Sequence, residues 1–342
     1  MAETGASLTS LDDFRKRLAQ LPPPDEAAAE KAREREPNLT KPPGSLGRLE
    51  EIALWLATWQ GRHPPAVNNV RALVFAGNHG VTAQGVSAYP AEVTEQMVGN
   101  FQAGGAAINQ ICKSQGADLR VFSMSLDNPT KDFTVEPAMA DEEAAGAANL
   151  GMNAVEAGQD LICLGEMGIG NTSSAAAICM ALFGGKAADW AGPGTGVEGD
   201  ALANKVKVIG GAVKLHKKAM SDGLEILRHL GGHELAAIAG AILAARALRQ
   251  PAVLDGFVAC AAAAPLFAVN PSALDHCIVG HVSAEPGHKR LLEKLGKVPL
   301  FDFGMRLGEA SGAALAIGVL RTAAACHAGM ATFGEAGVTD KD

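Results

Sequence analysis

The chain has 342 residues and a formal net charge of -8, from 37 acidic and 29 basic side chains; this balance excludes the basic footprint expected of a nucleic-acid surface. Apolar residues make up 48%, glycine supplies 40 positions and aromatics only 4%, so a large core must be built by close packing of small side chains, as in a layered α/β protein. The six cysteines sit mostly in apolar runs with no CxxC and no zinc-type Cys/His spacing, which excludes a disulfide framework and reads as buried thiols in a reducing cytoplasm.

The start of the chain, Met1-Ala-Glu-Thr-Gly-Ala-Ser7, has no basic segment leading into an apolar one, so no secretory leader is expected. Residues 8–36 read as two polar helices split by Pro22-Pro-Pro24. The second, Asp25 to Glu36, has charges of both signs and few large apolar residues. It must pack on another part of the molecule or on a second subunit, or else remain a solvated arm. Lys41-Pro-Pro-Gly-Ser-Leu-Gly-Arg48 follows as a rigid turn, with Ser45 placed to cap a helix over Leu49 to Trp59.

From Val70 onward, short apolar runs alternate with longer helical patterns. The runs are Val70 to Ala76, Leu119 to Met124, Asp160 to Leu164, Ala252 to Leu254, Cys277 to Val279 and Val298 to Phe303. This is a βαβ rhythm, and because several runs are apolar at successive positions, it predicts a parallel sheet covered by helices on both faces. Between Gly192 and Val253 two or three helices are expected, and the last helix, Ala313 to Ala328, is expected to leave the sheet and pair with the N-terminal helices. Apolar stretches such as Leu235 to Leu248 are too short or too interrupted to span a bilayer, so a cytoplasmic protein without a membrane partner is expected. No internal repeat is evident.

The run Leu161-Ile-Cys-Leu-Gly-Glu-Met-Gly-Ile-Gly-Asn-Thr-Ser-Ser174 passes from apolar residues into a glycine-rich turn and then into Ala175 to Leu182. Strand, loop and helix in that order make an anion site. Gly168 and Gly170 let a bound group approach the backbone, while Asn171, Thr172, Ser173 and Ser174 offer side-chain donors and a helix N-cap. A tight turn that uses glycine for geometry alone fits the same residues equally well. Glu166 would repel a phosphate and is expected to serve another part of the ligand.

In open parallel sheets ligands bind beyond the carboxyl ends of the strands, and polar groups recur there: Gly77-Asn-His-Gly80, Glu166 with the 168–174 turn, Asp255-Gly256, His281-Val-Ser-Ala-Glu285 and Arg306 to Glu309. Glu309 opens a Gly/Ala helix with little other charge nearby. It is either a favourable charge at a helix start or, if burial raises its pKa, a general base. His79 is an acid/base group or a hydrogen-bonding strut, and His281 and His288 do not have metal-ligand spacing, so no metal is expected. The absence of GxxxxGK[ST] argues against a P-loop, and the glycine pattern departs from GxGxxG. A ligand with one phosphate, bound without metal or cofactor, fits best.

At these residues the chain resembles the nicotinate-nucleotide:dimethylbenzimidazole phosphoribosyltransferases, the family that makes α-ribazole phosphate for the lower ligand of cobalamin. The matching segments are Lys41 to Glu50, His79-Gly-Val81, Gly165-Glu-Met-Gly-Ile-Gly-Asn-Thr172, Asn204-Lys205, Leu254-Asp-Gly-Phe257, His281 to Glu285 and Met305 to Ala316. The resemblance implies a Rossmann-like large domain at 61–309, a small helical domain from 1–60 and 310–342, and a homodimer in which the arm at 8–36 reaches the partner's site. Nicotinate mononucleotide and 5,6-dimethylbenzimidazole or a related base are the implied substrates. Glu309 is implied as catalytic base and Glu166 as a neighbour of the reacting centre. The 168–173 turn is implied to hold the phosphate, with lesser contacts from Lys205, Asp255 and Ser283. A benzimidazole pocket is implied around Tyr89, Met97, Met167 and Leu307, where some relatives carry Ser and Gln at the first two positions, and Asn78 stands where relatives carry Asp. The alternatives are, among enzymes, a nucleotide-dependent oxidoreductase and, outside the enzymes, a nucleotide-sensing or scaffolding dimer that binds the mononucleotide without turnover.

Overall fold

The computed structural model describes residues 7–339. Six strands form where the apolar runs predict them: β1 (Val70–Ala76), β2 (Asp118–Ser123), β3 (Leu161–Met167), β4 (Ala252–Leu254), β5 (Cys277–His281) and β6 (Pro299–Phe301). All pair in parallel, in the order β2-β1-β3-β4-β5-β6. Successive side chains point to opposite faces of a strand, and both faces are apolar here. Leu73, Phe75, Ile162 and Leu164 enter one core, while Val70, Ala72, Val74, Leu161 and Cys163 enter the other. That two-sided burial is why β1 and β3 read as largely apolar runs, whereas the edge strand β2 is only partly covered.

The first core is covered by helices Asp141–Ala154, Asn171–Phe183, His233–Ala247 and Phe257–Val269. Glycine and alanine let two of these helices touch backbone to backbone, since a Cβ on Gly151 would collide with the Ala237 carbonyl and one on Gly240 with that of Ala148. The second core is covered by Arg48–Gln60, Ala107–Gln115 and the C-terminal pair Ser311–Leu315 and Ile317–Gly329. Three helices fill the stretch between Gly192 and Val253, the first two being Gly199–His216 and Gly223–Leu230. Among the described residues one helical stretch, Ser311–Gly329, is long and apolar enough to cross a membrane, and about half of it is buried in the fold.

Both N-terminal helices form, Leu11–Ala19 and Glu26–Arg35. The first is capped by Ser10, which accepts from the Asp13 N–H, and it buries Leu11, Phe14 and Leu18 in the first core. The arm therefore packs on its own chain. The second buries Ala28, Ala29 and Ala32 and lies on helix Arg48–Gln60, as does the C-terminal Ile317–Gly329. The chain ends are tied together by the Arg35 Nε donor to the His327 carbonyl (3.0 Å) and by a bridge between Leu39 and Thr332.

Two local expectations are corrected. Ser45 is exposed and does not cap the helix at 48–60; Gly47 takes the N-cap position, and the Glu50 carboxylate accepts from the Leu46 N–H at 3.0 Å instead. β3 continues three residues beyond Leu164, because Gly165, Glu166 and Met167 pair with Val74, Phe75 and Ala76 of β1. Glu166 is therefore a strand residue held in a fixed register.

Candidate active site

The chain leaves β1 toward β2 on one side and resumes with β3 on the other, so the topological switch point lies between β1 and β3. Ligand crevices form at such points in open α/β sheets. A cavity of about 290 Å³ opens over the carboxyl ends of β3 to β6, at the low end of the ~300–1,000 Å³ usual for small-molecule clefts. Its walls are Glu166 to Ile169, Asn171 and Thr172 after β3, Gly256 to Val258 after β4, His281, Ser283 and Glu285 at β5, and Arg306 to Gly308 after β6. Tyr89, Gly194 and Thr195 close the remaining side.

The glycine turn has the geometry of an anion site, with one correction. Gly170, at φ 95°, is itself the N-cap of helix Asn171–Phe183, and no side chain caps that end. The polar residues after it are spent elsewhere. Asn171 donates its amide to Glu166, the Thr172 hydroxyl accepts from Lys205 Nζ (2.8 Å), and the Ser174 hydroxyl pairs with His79 Nδ1 (3.0 Å). Ser173 is fully buried with no partner for its hydroxyl among the described residues and does not reach the cavity. Gly168 lines the cavity, and its packed side admits only a hydrogen, a Cβ there falling 2.7 Å from the Gly77 carbonyl. Lys205 lies behind Thr172, also donating to the Gly192 carbonyl at 3.0 Å, and burial pushes its ammonium down to about 8 against the pull of Glu285.

Three of the buried carboxylates around this turn are held well above the ordinary carboxylate range. Burial raises Glu166 to about 8, the charges of Asp255, Glu234 and Glu309 add to the rise, and the Asn171 amide opposes it. Burial likewise raises Asp255 to about 7, although its Oδ1 accepts from the Gly312 and Ala313 N–H groups at 2.7 and 2.9 Å. Asp255 thus secures the helix that follows Glu309, and it does not line the cavity. Glu309 is raised to about 7 by burial, offset by the Ile108 N–H, and its Oε2 has no partner among the described residues. Glu309 follows Leu307 and Gly308 in the chain but does not itself line the cavity.

Backbone strain marks the same place. Glu309 and Ala310 both adopt left-handed φ values, 63° and 62°, which cost roughly 1–2 kcal/mol each outside glycine. The segment is held there by the Glu309 N–H bond to the Glu166 carbonyl (3.0 Å) and by Gly165, where any Cβ would collide with Ala310. Glu166 and Glu309 are therefore coupled through backbone as well as through charge. Gly308 packs against Glu166, with an added Cβ only 2.6 Å from Oε1.

Of the apolar residues expected around a base, Tyr89, Met167 and Leu307 line the cavity, and Tyr89 and Leu307 stay more than half exposed. Met97 does not reach it, because its helix, Glu92–Ala103, turns that side chain toward the second core. Sequence reasoning missed the segment Gly192-Pro-Gly-Thr-Gly196, although its glycine and proline density signals an ordered loop. Thr195 accepts from the Ala88 N–H (3.1 Å) beside Tyr89, and Arg306 donates to the Gly194 carbonyl (2.7 Å) across the cavity mouth. Glu285 Oε1 accepts from the Gly194 N–H at 2.9 Å. Asn78 donates to the Leu126 carbonyl and stands outside the cavity.

A sequence family model described as a phosphoribosyltransferase matches residues 21–338. The nicotinate-nucleotide–dimethylbenzimidazole phosphoribosyltransferase of Rhizobium meliloti (strain 1021) is 60% identical over 98% of this chain and 99% of its own length. The protein of that name from Sinorhizobium medicae (strain WSM419) is also 60% identical, over 98% and 99%. The crystal structure of the Thermus thermophilus protein of the same name superposes with a TM-score of 0.86 at 40% identity, covering 93% of this chain and all of that one.

Proposed function

The chain belongs to the nicotinate-nucleotide–dimethylbenzimidazole phosphoribosyltransferase family, and from that premise we propose how its cavity carries out the reaction. The enzyme moves the phosphoribosyl group of nicotinate mononucleotide to 5,6-dimethylbenzimidazole, giving α-ribazole 5′-phosphate and nicotinate for the lower ligand of cobalamin. The observation that carries the assignment of roles is the placement of two buried, backbone-linked carboxylates, Glu166 and Glu309, beside a glycine turn at a helix start.

The phosphate rests at the 168–173 turn, where Gly168 allows close approach, Gly170 starts the helix, and its positive end faces the anion. Lys205 backs Thr172 with a charge. Nicotinate leaves readily because its ring nitrogen is cationic while bonded to ribose, so cleavage of the C1′–N bond returns the electron pair to a neutral pyridine nitrogen. Approach of that cation favours the ionised form of Glu166, placing negative charge beside C1′ as it becomes oxocarbenium-like. The benzimidazole, between Tyr89, Met167 and Leu307, attacks C1′ from the opposite face through one nitrogen. Its second nitrogen becomes acidic as the bond forms, and Glu309 takes that proton. Asp255 holds the helix behind Glu309, and Ser283 shapes the wall near the nucleotide. The consequence is inversion, from a β to an α linkage.

We further divide the chain into a large α/β domain at 61–309 and a small helical domain from 1–60 and 310–342, with helix Leu11–Ala19 reaching across to the large one. A homodimer is the assembly we expect from the family, and the six unpaired thiols support a cytoplasmic location. The test is to incubate the protein with both substrates, quantify nicotinate and assign the anomeric configuration of the product by NMR. Nicotinate with an α-linked product is expected; a β-linked product, or no nicotinate, overturns the reading.

A further inference from the structure

Behind the phosphate turn, on the side away from the cavity, runs a chain of polar groups that the reaction as described does not use. His79 follows β1 and is fully buried, and both of its ring nitrogens are occupied: Nδ1 by the Ser174 hydroxyl at 3.0 Å and Nε2 by Glu234 Oε1 at 2.5 Å. Glu234 sits in the first turn of helix His233–Ala247 and is also fully buried, with no hydrogen-bond partner for Oε2 among the described residues. A buried polar chain of this kind persists only where its geometry is fixed by the surroundings.

Those surroundings are the turn itself. An added Cβ on Gly168 would lie 3.1 Å from Glu234 Oε1, and one on Gly170 would lie 3.4 Å from the Cβ of His79. Gly77, whose N–H donates to the Met167 carbonyl at 2.9 Å, leaves no room for a Cβ beside Glu234 Oε2. Ser174 belongs to the first turn of the helix that Gly170 starts, and its hydroxyl also reaches the Gly231 carbonyl (3.3 Å) in the segment leading to Glu234. Three elements are thereby locked to one another directly beneath the glycine turn, of which Gly168 lines the cavity.

We propose that Ser174, His79 and Glu234 are positioning residues for the nucleotide, a hydrogen-bonded prop that sets the height and orientation of the Gly168–Gly170 turn. They touch neither substrate; they act through the turn. The inference rests on the reading of that turn as the phosphate site. Because the prop serves the ground state and the transition state of the nucleotide alike, its loss weakens nucleotide binding uniformly and leaves the chemical step in place.

The experiment compares Ser174→Ala, Glu234→Gln and Gly168→Ala with the unaltered chain, measuring nicotinate mononucleotide binding by calorimetry and kcat and KM for each substrate. Ser174→Ala and Glu234→Gln are expected to raise the nucleotide Kd and KM about tenfold, with kcat and the benzimidazole KM within about twofold. A fall in kcat at unchanged nucleotide KM, or an equal rise in both KM values, overturns the proposal. Where Glu234→Gln does not fold, Ser174→Ala, which removes one hydroxyl, decides it. Gly168→Ala separates the two levels: if it leaves nucleotide binding intact, the phosphate reading fails, and if it abolishes binding while Ser174→Ala does not change it, the prop alone fails.

Discussion

Replacing Glu166 with glutamine should stabilise the protein while disabling it, and the pH dependence of the gain follows from the structure. Burial holds the Glu166 carboxyl at about 8 against an ordinary 4.5. Well below 4.5 the group is protonated in folded and unfolded chains alike and contributes no difference. As pH rises through 4.5 the unfolded chain ionises first, so folded stability falls until pH passes about 8 and the folded state ionises too. At roughly 1.4 kcal/mol per pKa unit, the penalty is about 3 kcal/mol near pH 7 and close to zero near pH 4. Glutamine keeps the size and still accepts from Asn171, so Glu166→Gln should gain about that amount near pH 7 and almost nothing near pH 4. Urea unfolding of both proteins at several pH values reads this directly as a shift in midpoint at constant slope. Turnover in the same variant should fall at least about a hundredfold, since the charge beside C1′ is gone. A gain independent of pH, or a loss of stability near pH 8, refutes the account of Glu166 as a carboxyl held protonated by burial.

Glu309 must be ionised to accept a proton, and with its carboxyl at about 7, kcat/KM for 5,6-dimethylbenzimidazole at saturating nucleotide, where Glu166 is already ionised, should drop about tenfold per pH unit below that point. A flat profile between about pH 5 and 8 contradicts the assignment. Leu307→Ala should raise the KM for 5,6-dimethylbenzimidazole about tenfold and leave the nucleotide KM within about twofold, as checked by initial rates with each substrate varied in turn. Phe14→Ala empties a fully buried site in the first core and should cost about 3–5 kcal/mol in unfolding experiments. Because helix Leu11–Ala19 packs on its own chain, that cost should not change with protein concentration.

The central strands were legible because β1, β3, β4 and β5 are buried on both faces, which leaves apolar runs that no surface element would carry, whereas the edge strands β2 and β6 are only partly covered. The carboxyl-end rule then gathered Glu166, Gly168, Ser283 and Leu307 at one cavity from residues far apart in sequence. What was not legible depends on pairing and backbone. β3 reaches Met167 because β1 continues beside it, so Glu166 reads as a loop residue until the ladder is seen. Gly170 displaces the polar residues after it from the cap position by taking φ 95° itself. Met97 looks like any other apolar residue near Tyr89, and only the rotation of its helix turns it toward the core. Glu234 begins the apolar helix at 233–247 as its one early acid, and nothing local to it signals the buried contact with His79, which lies 155 residues away.

The central claim is that Glu309 takes the proton released when the benzimidazole bonds to C1′. The most direct measurement is a single-turnover reaction of Glu309→Gln with nicotinate mononucleotide and 5,6-dimethylbenzimidazole, with calorimetry of nucleotide binding alongside. The account predicts that nucleotide binds within about threefold of the unaltered affinity while nicotinate release slows by at least about a hundredfold. Nicotinate release at the unaltered rate would contradict it.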